Sequence, residues 1–65
     1  MNNMKNAQNR AITRCYQQGI AVSRREFENK VREYNNYEMP ISTRVMTIAR
    51  GWDSKFFEFL KERKI

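Results

Sequence analysis

Arg10 and Arg14 stand four residues apart in the stretch RAITRCYQQGIA, residues 10–21, with Tyr16 and Gln17 close behind. If the stretch is helical, Arg14 lies one turn beyond Arg10. Guanidinium forks hold phosphate oxygens in a two-point grip, and amide side chains meet base edges or sugar hydroxyls. The stretch contains no acid, so nothing within it neutralises the two arginines. Residues of this kind in this order suit a polyanion, not a reaction.

Around that pair, Lys5, Gln8, Asn9, Thr13 and Gln17 fall away from the apolar positions of the same segment. Arg24 and Arg25 follow in the first turn of a second predicted helix, where backbone N–H groups at the helix start can add to phosphate binding. Tyr16 and Tyr37 are candidates for stacking on an unpaired base. The candidate nucleic-acid-binding set is therefore Lys5, Arg10, Arg14, Tyr16, Gln17, Arg24 and Arg25.

Catalysis has little footing. The chain has no histidine to act as a base and a single cysteine, Cys15, which excludes an internal disulfide and a Cys/His zinc site. Cys15 falls on an apolar stripe with no histidine partner, so it is not a candidate nucleophile. Glu26 and Glu28 point to different sides of a helix and cannot share a proton. Glu58 and Glu62 form a solvated i,i+4 pair. Asp53 and Glu58 have no ligand cluster around them for a metal, and no phosphate-cradling glycine loop appears. The expectation is a protein that is not an enzyme and uses no cofactor.

Charge supports the polyanion reading. Thirteen Lys and Arg face seven Asp and Glu, a net +6. Residues 1–25 carry Lys5, Arg10, Arg14, Arg24 and Arg25 and no acid, whereas residues 26–40 carry four glutamates against two bases, and residues 41–65 carry six bases and three acids. A surplus gathered at the front is what a binding patch requires, where an evenly spread one would only solubilise. No apolar run approaches the roughly 18 residues of a membrane span. The first ten residues lack the apolar core of a secretory signal. The reduced lone cysteine fits a cytoplasmic setting.

The elements that position these residues read as helices throughout, in one basic domain of residues 1–65. Met4, Ala7, Ala11 and Cys15, with Ile12 and Tyr16 beside them, form one stripe over residues 4–18, and Gly19 supplies the cap. Ser23 and Glu26 form an S-x-x-E capping box, and Val22 with Phe27 form a hydrophobic staple that opens a helix over 23–35. Asn35 and Asn36 end it. YEMPI, 37–41, is a loop, and Ser42 or Thr43 caps the next helix. Val45, Ile48, Ala49, Trp52, Phe56, Phe59 and Leu60 then make one face of a long helix over 43–63. Gly51 lies in its middle, and a break there with Asp53 as a new cap is the alternative, set aside because the stripe keeps phase. Strand signals are absent. The fold class is all-α, a small three-helix domain.

RAITRCYQQGIA resembles the first-helix signature of the ribosome modulation factor family, roughly R-A-x-x-R-G-Y-Q-x-G-x-x-G, with Arg10, Ala11, Arg14, Tyr16, Gln17 and Gly19 in register. IARGWD, 48–53, is similar to the family's W-x-x-G-W element at Gly51 and Trp52. Cys15 replaces the usual glycine, Val22 the last one, and Ile48 the first tryptophan. NYEMP stands where the family has a C-P-Y turn, and the connection carrying helix 23–35 is longer. The likeness covers about half the chain. It implies a small basic helical protein that binds ribosomal RNA of the small subunit and favours paired, translationally idle ribosomes. It makes Arg10, Arg14, Tyr16 and Gln17 RNA-contacting residues, Gly19 the turn out of the first helix and Trp52 a packing residue.

The leading expectation is a non-enzymatic RNA-binding protein whose partner is the ribosome or its RNA, acting in ribosome hibernation. One alternative is a helix-turn-helix-like DNA-binding regulator, with Ser42, Thr43, Arg44 and Thr47 in the major groove. Its loop is longer than the usual three or four residues. Another is a small protein-binding inhibitor or adaptor, phage-type, using Phe57 and the C-terminal helix. Phe57 lies off the main stripe, so an exposed Phe there would offer a face to a protein partner.

Overall fold

The computed structural model describes residues 3–63 of the chain. They form four helices: α1 (Asn3–Gln17), α2 (Arg24–Asn35), α3 (Ile41–Ala49) and α4 (Ser54–Arg63), with no strand among the described residues. The all-α class stands. The long third helix does not: residues 43–63 are two helices with a turn at Arg50–Asp53 between them.

Gly19 ends α1 with a Schellman turn. It takes φ +80°, its N–H reaches Tyr16 O at 2.9 Å, and Ile20 N–H reaches Cys15 O at 2.9 Å. The same pattern ends α3. Gly51 takes φ +77°, its N–H reaches Ile48 O at 2.9 Å, and Trp52 N–H reaches Thr47 O at 3.1 Å. Asp53 then opens α4, its Oδ1 accepting from Phe56 N–H at 3.2 Å. Local capping at both sides of the break outweighs the apolar stripe that runs through it. The break also turns α4 about its axis relative to one continuous helix. That is why Phe57, expected off the stripe and exposed, is buried at 5% exposure.

Ser23 and Glu26 form both halves of the capping box, and Val22 and Phe27 are both buried where the staple needs them. Asn36, left-handed at φ 45°, ends α2. α3 starts two residues before the expected point, with Pro40 at the N-cap and no side-chain cap. Ser42 and Thr43 lie inside its first turn.

α1 packs chiefly on α3, and α2 packs on α3 and α4. The small side chains of Ala7, Ala11 and Cys15, all buried, let α1 lie close. The core continues through Val31, Val45, Ile48 and Leu60 into an aromatic cluster. There Phe56 meets Phe27 and Tyr34 edge-on, with centroids 5.9 and 5.3 Å apart.

A polar hub fastens the second half. Arg44, a buried arginine, donates from Nε to Asn35 Oδ1 at 3.1 Å and from Nη1 to Asp53 Oδ2 at 2.9 Å. Glu38 meets its Nη2 at 3.3 Å, and its guanidinium lies 4.8 Å from the Tyr34 ring centroid. Tyr34 donates its hydroxyl to Asp53 Oδ1 at 3.0 Å. Burial, then the bond to Asp53, raises the Tyr34 phenol above its ordinary pKa. No buried side-chain nitrogen or oxygen among the described residues lacks a partner, so the hub meets the requirement that buried charge be fully bonded.

Candidate nucleic-acid interface

The helical rotation of about 100° per residue divides α1's polar side into two edges. Arg10, Thr13, Arg14 and Gln17 lie along the edge toward α3. Lys5, Asn9 and Tyr16 lie along the edge toward α2. The candidate set therefore does not form one patch.

On the α3 edge, Arg10, Thr13, Arg14 and Gln17 face Ala49, Arg50 and Trp52 across a groove of about 470 Å³. This falls within the roughly 300–1,000 Å³ span of small-molecule sites. Arg14 holds the two sides together. Its Nε–H donates to Ala49 O at 3.1 Å, a carbonyl in the last turn of α3, and its Nη1 lies 3.5 Å from Gln17 Oε1. A cation at a helix C-terminus is favourable on its own account. Its guanidinium passes over Gly51 so closely that a Cβ there would lie 3.2 Å from Arg14 Cζ. Gly51 thus answers two demands, a left-handed turn and a close approach.

The groove lining contains no carboxylate. Among the described residues, none of Arg10, Arg14 and Arg50 has an ion pair, while ion pairs gather between Glu28 and Arg63. Arg50 instead lies over the Trp52 indole, 5.1 Å from the ring centroid. Trp52, expected to pack in the core, is 70% exposed. It completes a Schellman turn whose counterpart in α1, Ile20, is 5% exposed.

The α2 edge is organised differently. Arg24 donates to Gln8 Oε1 at 2.8 Å and to Asn9 Oδ1, pinning the start of α2 to α1. Tyr16, 57% exposed, donates its hydroxyl to Val22 O at 3.5 Å. Lys5 and Arg25 are exposed. At the α2 N-terminus, Ser23 Oγ accepts from Glu26 N–H at 3.1 Å, and the Glu26 carboxylate faces Ser23 N–H at 3.4 Å. The capping box that announced the helix thus engages two of the backbone donors at this helix start. Tyr37 is 99% exposed at φ 63°, far along the chain from the groove residues of α1.

Arg50 and Trp52 escaped the sequence reading because their nearness to Arg14 is tertiary. The signal present was the Gly51-Trp52 pair, which the stripe had absorbed. Each of two other expectations loses one of its residues to the interior. Arg44, assigned to a DNA major groove, is turned inward and bonded on every side. Phe57, assigned to a protein partner, is in the core.

Among the described residues, no group of three or more His, Cys, Asp or Glu is placed to hold a metal ion, and no helix is long and apolar enough to cross a membrane. Burial pushes the Cys15 thiol up to about 11. No family model matches the chain, and no curated protein or solved structure matches it.

Proposed function

We propose that this protein is a non-enzymatic RNA-binding protein that grips the phosphate backbone in the groove between α1 and the α3–α4 turn. The observation that carries the reading is the convergence of Arg10, Arg14 and Arg50 on a groove with no carboxylate in its lining. Phosphates supply the missing negative charge, and each guanidinium offers a planar fork to receive it. Arg14 is already oriented by its bond to Ala49, so it loses little freedom on binding.

The target we propose is small-subunit ribosomal RNA, with translation lowered as a result, in the cytoplasm. The support is the resemblance to ribosome modulation factors together with one geometric fact. The two stretches that carry it, Arg10–Gly19 and Gly51–Trp52, are distant in sequence and meet where Arg14 lies over Gly51.

Filter binding to small-subunit rRNA fragments from 50 to 300 mM salt tests the reading. Three arginines on phosphates give a slope of about −2 in log affinity against log salt. Arg10→Ala with Arg14→Ala should weaken binding across all fragments and bring the slope toward about −1. A flat salt response removes the proposal. So does an unchanged slope in the double variant.

A further inference from the structure

Trp52 is the chain's sole tryptophan, and it lies at a backbone position fixed by the Trp52 N–H to Thr47 O bond at 3.1 Å. Packing does not account for it, since 70% of the residue faces solvent. The equivalent turn of α1 shows that this geometry can deliver its side chain to the core. Arg50 lies over the indole, 5.1 Å from the ring centroid, and most of the residue stays open to solvent. Arg10 and Arg14 line the same groove, beside Thr13 and Gln17.

A π-face flanked by arginines matches a nucleotide whose base is free to stack and whose phosphates lie on either side. A paired base offers no such face, because its neighbours in the helix cover both sides. We propose that the groove seats one unpaired RNA nucleotide, its base on Trp52 and its flanking phosphates on Arg10 and Arg14. Bulges and loops would then be selected over continuous duplex. This rests on the RNA-binding reading and adds to it the kind of RNA element bound. Sequence-specific RNA recognition commonly targets such splayed bases.

Two hairpins with the same stem test it, one fully paired and one with a single bulged adenine. Affinity is read from the anisotropy of end-labelled RNA, and stacking from the emission of Trp52. The bulged hairpin should bind about tenfold more tightly, within the range of one stacked base, and quench Trp52. Trp52→Ala should lose that tenfold preference, while Trp52→Phe retains part of it. Equal affinities with unchanged Trp52 emission overturn the unpaired-nucleotide site and leave the RNA-binding reading standing. Failure to bind either hairpin, or any rRNA fragment, overturns both.

Discussion

At Gly19 the chain leaves α1 and buries the next residue, Ile20. At Gly51 it leaves α3 by the same pair of hydrogen bonds and holds the next residue, Trp52, in solvent. The surroundings differ in the same sense. Nothing lies within 4 Å of where a Cβ would stand at Gly19, whereas Arg14 crowds that point at Gly51. One backbone motif therefore serves two ends. The first turn closes the core; the second presents an aromatic ring beside arginines. The difference lies in what the fold brings to each turn, not in the turn.

The sharpest separation of the two is in stability. Ile20→Ala should cost about 2–4 kcal/mol, a large share of what a chain this small possesses. Trp52→Ala should stay within about 0.5 kcal/mol, as an exposed substitution does. Urea denaturation followed by circular dichroism reads both. A Trp52→Ala loss as large as that of Ile20→Ala would make the second turn a packing device and erase the contrast.

The glycines come next. Gly19→Ala should cost about 1 kcal/mol for the left-handed backbone alone. Gly51→Ala carries the same strain and also displaces Arg14, so it should cost more and weaken rRNA binding, which Gly19→Ala leaves alone. Equal effects in both assays would mean that the Arg14 contact matters to neither.

The smallest effect is a slope with pH. Cys15 accepts the Ile20 hydrogen bond of the first turn through its carbonyl, and its buried thiol is pushed from about 9 to about 11. Between those values the unfolded chain releases the proton and the folded chain keeps it. Stability from this group is full below pH 9 and falls as pH rises, by at most about 1.4 kcal/mol per unit. Cys15→Ala should remove the fall between pH 9 and 10. Above that, the raised Tyr34 phenol adds its own decline.

How far the chain could be read in advance tracks the same division. The start of α2 was legible because Ser23, Glu26, Val22 and Phe27 are local partners whose spacing is the whole signal. Gly19 was legible because the apolar stripe stops there. Gly51 was not, because the stripe continues through it, and periodicity cannot tell that Trp52 is unused by the core. Half the site was visible for the same reason: Arg10, Arg14 and Gln17 share one helix edge, and helical geometry suffices to group them. Arg50 and Trp52 join them only through the packing of α1 on α3. Arg24 shows the opposite case, a cation whose charge suggested RNA but whose fork is held by Gln8 and Asn9.

Arg14 closes one helix while lining the groove, and that double duty narrows what the position tolerates. Lysine would keep the positive charge but has no second nitrogen to divide between a carbonyl and an anion. One substitution at this position therefore acts on the helix end and on the groove lining together.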